Sequence, residues 1–584
     1  MIDLEIEEIP QIKDGDTLII EFPPLSNEEK AIIDPIVAPT SGLRIQILEL
    51  IDKNGKKIRF LPNRKLFLFL RVFKAISLKY KELKTNTDLK VLIVTDDRPT
   101  NDILLEYCSK IFAYEGYQVY YQKDDPGKSR LSSPYGAASV ALLEDIELTI
   151  VLTASHNDLT WNGIKFYITD PIPMSGDLFK EISNIALNID DIAMSSTITP
   201  ISIDIEQINN NYVIDLVKKV LDLEGIKKEN IIIWPYLGKA RGIVNLFRNL
   251  GANVIVIEEE LDPPNPIKEI REDKLQDVMS ANNSRIAILL DADRDRIALY
   301  IKEKNSYQFY IPNEIYSAMH NVLAKEYNKR IINVRTIPSD LRADKACFIN
   351  ILTGVGYKHL GIIFYFLLEK PVDQSKIDTA ILYFEDQEGN LVKIDTPEPL
   401  KQELFNLAKE SHQKENEEYL IVLWEESGGH TLNVLASYLD FKKHDIRFKA
   451  LSPIIADKYP VPALVLATEL IARNHVISES IDWSIKGINR TIPAIDEEKI
   501  KIMKNFEKNN GRSIIVNGKE YSVNALSDNN GLIDIYQLKS KDSTLYFRPS
   551  GTGPEVRFYI FGDKDTHLSE IGAVQNYVKK NYSN

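Results

Sequence analysis

Short apolar runs alternate with amphipathic stretches along most of the chain. Val91–Val94 precedes a helix-type pattern over Asp102–Tyr114, followed by Tyr117–Tyr121 and Leu148–Leu152. A second round reads Ile231–Pro235, a helix over Ala240–Leu250, Val254–Glu258 and Arg285–Leu290. A third has a helix near Glu314–Tyr327 and strands at Arg330–Val334 and Tyr419–Trp424. Such alternation predicts α/β layers with largely parallel sheets, whose functional loops lie beyond the carboxyl ends of the strands. The tail differs. A helix over Glu497–Asn509 precedes clustered strands at Ser513–Val516, Leu532–Gln537, Thr544–Phe547 and Val556–Phe561, with a last helix from Leu568, which predicts an α+β domain. Polar or weakly patterned joints are expected at Ser195–Asp204, Lys302–Tyr307 and Asn474–Arg490. They divide the chain into domains over 1–204, 205–304, 305–475 and 485–584.

Composition narrows the class. At 584 residues the chain exceeds one ordinary core. A formal charge of −14 argues against a nucleic-acid or anionic-membrane partner, while leaving room for a local basic pocket. The two cysteines, Cys108 and Cys347, form neither a metal-ligand spacing nor a disulfide framework, which suits a reducing cytoplasm. The acidic start MIDLEIEEIP lacks the features of a signal peptide, and LFLFLRVF is cut by Arg71 and Lys74, far short of a membrane span. These features predict a soluble cytoplasmic protein.

Four loops carry candidate chemistry. Leu148–Leu152 opens into Thr153-Ala154-Ser155-His156-Asn157-Asp158. Adjacent side chains on an extended segment point oppositely, so His156 is expected to be badly placed to activate Ser155, and no G-x-S-x-G elbow is present. Turn-forming residues at a strand end explain Ser155 and Asn157 equally well. After Arg285–Leu290 come Asp291, Asp293 and Asp295 at alternate positions, where mutual repulsion makes a divalent cation the economical explanation. The EF-hand pattern fails, because its sixth position is Arg296 and its twelfth Lys302. Trp424-Glu425-Glu426-Ser427-Gly428-Gly429-His430 follows a third strand and could hydrogen-bond sugar hydroxyls, or be a simple turn. Finally, Arg548-Pro549-Ser550-Gly551-Thr552-Gly553-Pro554-Glu555-Val556-Arg557 combines hydroxyls, glycines and arginines in the manner of a phosphate cradle. The stretch Thr353-Gly354-Val355-Gly356-Tyr357-Lys358-His359 fails the dinucleotide fingerprint, although its Lys358 could face an anion.

Serine, triple aspartate, Glu-x-Ser and Arg-x-Ser-Gly-Thr, in this order, resemble the α-D-phosphohexomutases. Thr40-Ser41-Gly42-Leu43-Arg44 and Asp96-Asp97-Arg98-Pro99 add to the likeness. The resemblance implies four domains, three α/β with mixed sheets and one C-terminal α+β, around a central cleft. It implies an intramolecular phosphotransferase that interconverts hexose 1-phosphate and 6-phosphate, glucose foremost, through a phosphoserine and a hexose 1,6-bisphosphate. Ser155 then looks like the phosphoryl carrier, with His156, Lys165 and Arg44 in the catalytic group and Lys165 a possible general acid/base. Asp291, Asp293 and Asp295, with Ser155, resemble the Mg²⁺ site. Arg296, Lys358, Glu425, Ser427 and His430 fall among substrate-binding positions. Arg548, Ser550, Gly551, Thr552 and Arg557 match the loop for the phosphate that does not react.

The chain departs from the pattern at Asp158 for Pro, Trp424 for Gly, Gly553 for Glu and Ile45 for Gly, and Arg294 brings bulk into the metal loop. The expected partners are small sugar phosphates, with no nucleic acid or membrane, for a monomer or small homo-oligomer. Mannose, pentose and glucosamine phosphates are alternative substrates. Outside the family, an Asp-nucleophile phosphatase would use Asp291 and Asp293, but Asp295 stands where such enzymes usually place Thr or Val. A non-catalytic phosphosugar sensor would not need Ser155 and all three aspartates.

Overall fold

The computed structural model describes residues 3–34, 43–53, 55–84, 88–168, 176–413, 416–550 and 554–582. Thr40–Gly42 and Gly551–Gly553, singled out above, lie outside them. The chain divides into two compact units, Met1–Pro312 with Ser452–Arg473, and Asn313–Leu451 with Asn474–Asn584.

In the first unit a mixed sheet runs in the order Ile201–Ile203, Gln118–Gln122, Lys90–Thr95, Leu148–Leu152, Trp161–Ile168, Arg44–Gln46. The first four strands pair in parallel, and Trp161–Ile168 runs antiparallel to both of its neighbours. Lys90–Thr95 and Leu148–Leu152 are buried on both faces, which is why they read as unbroken apolar runs. Val91, Ile93, Leu148, Ile150 and Leu152 share one core with helices Asn63–Leu83 and Asn101–Tyr114. Helix Ser133–Leu142 covers the other face. Its Gly136 permits that approach, since a Cβ there would meet Val151 Cγ2 at 2.8 Å. The run LFLFLRVF is an internal part of Asn63–Leu83, buried from Leu66 to Phe73, with Arg71 over the Phe22 ring.

A second mixed sheet orders Asn253–Val256, Asn230–Trp234, Ile286–Leu290, Ile297–Glu303, Ser306–Tyr310. Two expected joints are corrected here. Lys302–Tyr307 is a hairpin in which Glu303 pairs with Ser306, so that sheet continues to Tyr310. Ser195–Asp204 contains the edge strand Ile201–Ile203, paired with Gln118–Gln122. The segment Ser452–Arg473, expected at the end of the third domain, also belongs to this unit. Its helix Val461–Ala472 packs on Ile205–Val220, and Glu469 accepts the N–H groups of Gly225 and Ile226 at 2.8 Å each.

The second unit holds a seven-stranded sheet in the order Leu391–Lys393, Leu382–Glu385, Ile349–Thr353, Arg330–Thr336, Glu418–Trp424, His430–Asp440, Asp445–Ala450. Only Arg330–Thr336 makes parallel pairs, one with each neighbour. The tail forms a six-stranded antiparallel sheet, and its outer strand Ile485–Pro493 occupies the third expected joint. Helices Asp496–Phe506 and His567–Tyr582 cover it through Phe506, whose ring centroid lies 4.8 Å from that of Phe547 and 4.9 Å from those of Tyr536 and Tyr582. Leu352, Ile381 and Tyr383 of one sheet form a shared core with Leu526, Ile535 and Tyr546 of the other. No helix among the described residues is long and apolar enough to cross a membrane.

Candidate active site

The chain carries its candidate chemistry in two sets of residues, one in each unit. In the first unit, Ser155 follows strand Leu148–Leu152 with φ +53°, a left-handed conformation that turns the backbone sharply. Its N–H donates to Thr153 Oγ1 at 2.8 Å, and Thr153 donates to Asp96 Oδ2 at 2.6 Å. Arg98, 1 % exposed, directs its guanidinium at the same loop. Nη1 donates to the carbonyls of Asp158 (2.7 Å) and Trp161 (2.8 Å), and Nη2 to those of Ser155 (2.6 Å) and Asn157 (2.7 Å). Its Nε donates to Asp96 Oδ2 at 3.2 Å, which offsets a charge that burial would otherwise make costly. Asp158 is accounted for as well: its Oδ1 accepts the Thr160 N–H at 3.0 Å and the Thr160 hydroxyl, forming the turn into strand Trp161–Ile168.

The expectation for His156 is overturned. Because Ser155 is left-handed rather than extended, His156 Nδ1 lies 3.3 Å from Ser155 Oγ. Burial, with Arg296 and Arg44 nearby, holds the imidazole down at about 3, so the ring is neutral at pH 7.

Ser155 Oγ also lies 3.3 Å from Asp291 Oδ2. Asp291, Asp293 and Asp295 are all buried, each with a carboxylate oxygen within 4.8 Å of the others. Asp293 Oδ1 and Asp295 Oδ1 are buried without a hydrogen-bond partner. Burial and the two neighbouring aspartates push the Asp291 carboxyl well above its ordinary range. Against the cost of burial, Lys165, Lys458 and Arg296 hold Asp295 below it. Lys165 reaches Asp293 Oδ2 at 2.7 Å, Asp295 Oδ2 at 3.2 Å and Ser133 Oγ at 3.1 Å. Burial opposes its charge, but Asp293 and Asp295 prevail and raise its pKa well above the ordinary value. Two orphaned oxygens in an all-oxygen set of three carboxylates fit a hard cation with few protein ligands, Mg²⁺ before Ca²⁺. Arg44 Nε is another buried donor without a partner. Burial lowers the Arg44 pKa, with Asp293 and Asp295 opposing.

Arg294 does not crowd the metal loop. With φ +63°, it turns its guanidinium to Asp97 Oδ2 (2.6 Å), the Leu237 carbonyl (3.0 Å) and the Ala292 carbonyl.

In the second unit, Glu425 and Ser427 are hydrogen-bonded to each other in a tight turn closed by Glu425 N–H to the Gly429 carbonyl at 2.9 Å. The indole of Trp424 points inward and donates to Asn333 Oδ1 at 2.8 Å, which explains the bulky residue there. His430 departs from its expected substrate-binding role. Its ring is wholly buried, with Nε2 3.1 Å from His320 Nε2 and its centroid 4.5 Å from that of Tyr316. Arg548 and Arg557 are directly opposed on strands Thr544–Pro549 and Glu555–Asp563. Opposed like charges need neutralising. Arg548 Nε lies 3.5 Å from Asp534 Oδ2, and Arg557 Nε donates to Glu555 Oε1 at 2.8 Å. Lys358, at the start of helix Tyr357–Leu367, has its pKa lowered by burial, with Asp534 opposing and Arg548 adding to the effect. Ser550 is 3 % exposed and bonded through its backbone to the Glu555 carbonyl and Lys499 Nζ, both at 2.9 Å. Gly551 and Thr552 lie outside the described residues.

Residues without an expected role matter in the first set. Asp96 and Arg98 stood in a quoted motif, but nothing in their spacing showed that Arg98 holds the serine loop. Lys458 stands far from Asp295 in sequence, and only the fold gives it influence there.

The family described as phosphoglucomutase/phosphomannomutase, alpha/beta/alpha domain I, matches residues 63–193. A phosphoglucosamine mutase of Caldicellulosiruptor saccharolyticus is 26% identical over 39% of this chain and 50% of its own. A phosphomannomutase of Mycoplasma genitalium is 23% identical over 47% of this chain and 53% of its own. The chain thus spans about half the length of the curated relatives it matches. In fold the likeness is broader. The open form of parafusin, a phosphoglucomutase from Paramecium, superposes with a TM-score of 0.55 at 13% identity, covering 97% of this chain and 98% of that one. Residues 63–193, which hold Ser155, are thus similar to domain I of the phosphoglucomutase/phosphomannomutase family, and the chain shares the fold of a phosphoglucomutase.

Proposed function

We propose that this protein is a phosphosugar mutase that interconverts hexose 1-phosphate and hexose 6-phosphate, with Ser155 as phosphoryl carrier and Mg²⁺ held by Asp291, Asp293 and Asp295. The observation that carries the reading is Ser155 Oγ at 3.3 Å from Asp291 Oδ2, beside two buried carboxylate oxygens that lack partners. A bound Mg²⁺ supplies charge neutralisation at phosphoryl oxygens.

The chain's own groups do the positioning. Arg98 fixes the carbonyls around Ser155, so its Oγ is held for in-line transfer without searching. Arg44 offers its unpaired Nε–H to a phosphoryl oxygen. Lys165, held charged by two aspartates, donates hydrogen bonds or a proton rather than accepting one. Neutral His156 exchanges a hydrogen bond with Ser155 Oγ through Nδ1.

The phosphoryl group leaves Ser155 Oγ for the free hydroxyl of a hexose monophosphate, and the hydroxyl's proton ends on the serine side. The other phosphate of the resulting hexose 1,6-bisphosphate then returns to Ser155, restoring the phosphoenzyme. In the second set, Glu425 and Ser427 address sugar hydroxyls, while Lys358, Arg548 and Arg557 address the phosphate that is not reacting. Glu425-Glu426-Ser427 favours glucose; the names of the curated relatives make glucosamine and mannose phosphates the rivals to test.

The test is an assay with Mg²⁺ against glucose, mannose and glucosamine 1-phosphates, with and without a trace of the bisphosphate. Intact mass of untreated protein is expected to show one phosphoryl adduct, absent in Ser155→Ala. Inorganic phosphate as the main product, or an active Ser155→Ala, overturns the proposal.

A further inference from the structure

Arg294 departs from the metal loop toward a second polar cavity. A pocket of about 680 Å³ lies within the first unit, lined by Lys128, Arg130, Lys239, Arg241, Arg294 and Glu206 among others. One wall is the loop before helix Arg241–Asn249, where Gly238 (φ +67°) and Ala240 (φ +44°) take left-handed conformations. A Cβ on Gly238 would lie 2.0 Å from Asp97 Oδ2, so glycine there admits the Asp97 carboxylate.

The acidic groups divide into those already committed and those that compete weakly. Asp97 accepts Arg130 Nε at 2.9 Å and Arg294 Nη2 at 2.6 Å. Asp124 accepts the backbone N–H groups of Asp125 (2.7 Å) and Arg130 (2.9 Å), and its Oδ1 lies 2.8 Å from Arg241 Nη2. These carboxylates orient the guanidiniums without saturating them. Arg130 Nη1 and Arg294 Nε are each buried with no hydrogen-bond partner, Arg294 is only 4 % exposed, and Arg241 Nη2 is held by Asp124 alone. Lys128 and Lys239 form no ion pair among the described residues. Of the other acids in the lining, Asp125 and Glu260 are exposed to solvent. Burial raises the Glu206 carboxyl to about 7, with Arg241 and Arg294 opposing, so its charge is partly withdrawn at neutral pH.

Two guanidinium groups with a spare N–H each, the Asp124-bound guanidinium of Arg241, and two unpaired ammonium groups line one cavity. Such donors match the acceptor geometry of phosphate. The volume suits a molecule of nucleotide or sugar-bisphosphate size. We propose that this cavity is a second anion site, lined by Arg294 but none of the three loop aspartates, that binds a small organic phosphate. Because Arg294 sits between Asp293 and Asp295 in sequence, an occupant held by its Nε–H bears directly on the backbone of the aspartate loop.

The test uses pyrophosphate as probe, by calorimetry on the metal-free full chain carrying Arg548→Ala, which removes the expected phosphate contact of the second unit. In that background Lys128→Ala with Lys239→Ala is expected to weaken binding by at least about tenfold, since two charged hydrogen-bond donors are removed. Both lysines reach solvent and anchor no core, so the fold is expected to survive, as checked by circular dichroism. As a second variant, Arg241→Gln is expected to give a similar loss. Unchanged pyrophosphate affinity in both variants overturns the proposal. Mutase activity is not the readout, so failure of the catalytic reading leaves this result interpretable.

Discussion

The serine loop and the paired arginines of the C-terminal sheet both set guanidinium against carboxylate, yet they solve opposite problems. Arg98 is fully buried and spends its donors on four backbone carbonyls and Asp96, so nothing about it is left for a ligand. Arg548 and Arg557 are only partly buried, face each other across a strand pair, and are each balanced by a single carboxylate. The first arrangement fixes the Ser155 loop in one geometry, as the proposed phosphoryl carrier requires. The second leaves both cations partly exposed, as the proposed contact with a phosphate that arrives and leaves requires. Phosphoryl transfer needs the reacting atom held rigidly, whereas recognition of either end of a bisphosphate needs a contact that tolerates exchange.

The largest expected effect is at Ser155 itself: Ser155→Ala loses both the phosphoryl adduct and mutase turnover, read by intact mass and a coupled assay. Next comes Arg98→Lys, which cannot reach four carbonyls at once. It is expected to lower kcat by about 10²-fold with KM little changed, the penalty of a misplaced reacting group. Arg98→Ala also leaves Asp96 buried and unpaired, at about 3–5 kcal/mol of stability in a denaturant titration. Arg548→Ala is the converse. KM is expected to rise about 10- to 100-fold while the Ser155 adduct persists. If both arginine variants changed kcat and KM alike, the contrast between the two regions would collapse.

A smaller effect concerns the His320–His430 pair. Burial holds His320 down at about 3 and His430 well below its ordinary value, so both are neutral when folded. The unfolded chain takes up these protons first. Stability is therefore full above about pH 6.5 and is lost as pH falls toward 3, at up to about 1.4 kcal/mol per pH unit per imidazole. Melting curves between pH 7 and 5 should show this, and His430→Leu should flatten the slope. Smallest for function is Gly136→Ala. Overpacking against Val151 is expected to cost about 1–3 kcal/mol in stability, with activity per folded molecule unchanged.

Strand positions such as Leu148–Leu152 and Ser513–Val516 were legible because burial on one or both faces imposes apolar runs that few other structures require. The three aspartates were legible for a similar reason, since alternate buried carboxylates have few explanations. Helix Asn63–Leu83 was not. Its apolar positions wrap most of the way round, so LFLFLRVF lacks the stripe that marks an amphipathic helix. His156 was misplaced by assuming an extended backbone, and one left-handed residue reverses the conclusion. For Arg294 the same cause applies: size alone suggested crowding, while a left-handed φ aims the side chain elsewhere. Arg98 could not be valued from sequence because its partners are carbonyls, which every residue possesses.

The helix Val461–Ala472 has a consequence for how the chain is made. The first unit's own sheets end by Pro312, yet this helix is supplied only after the strands of the seven-stranded sheet have been synthesised. During translation the N-terminal half therefore waits, with the flank of Ile205–Val220 uncovered and the Gly225 and Ile226 amides lacking their Glu469 acceptor, until Arg473 clears the ribosome. Cutting the gene after residue 312 would make that temporary exposure permanent.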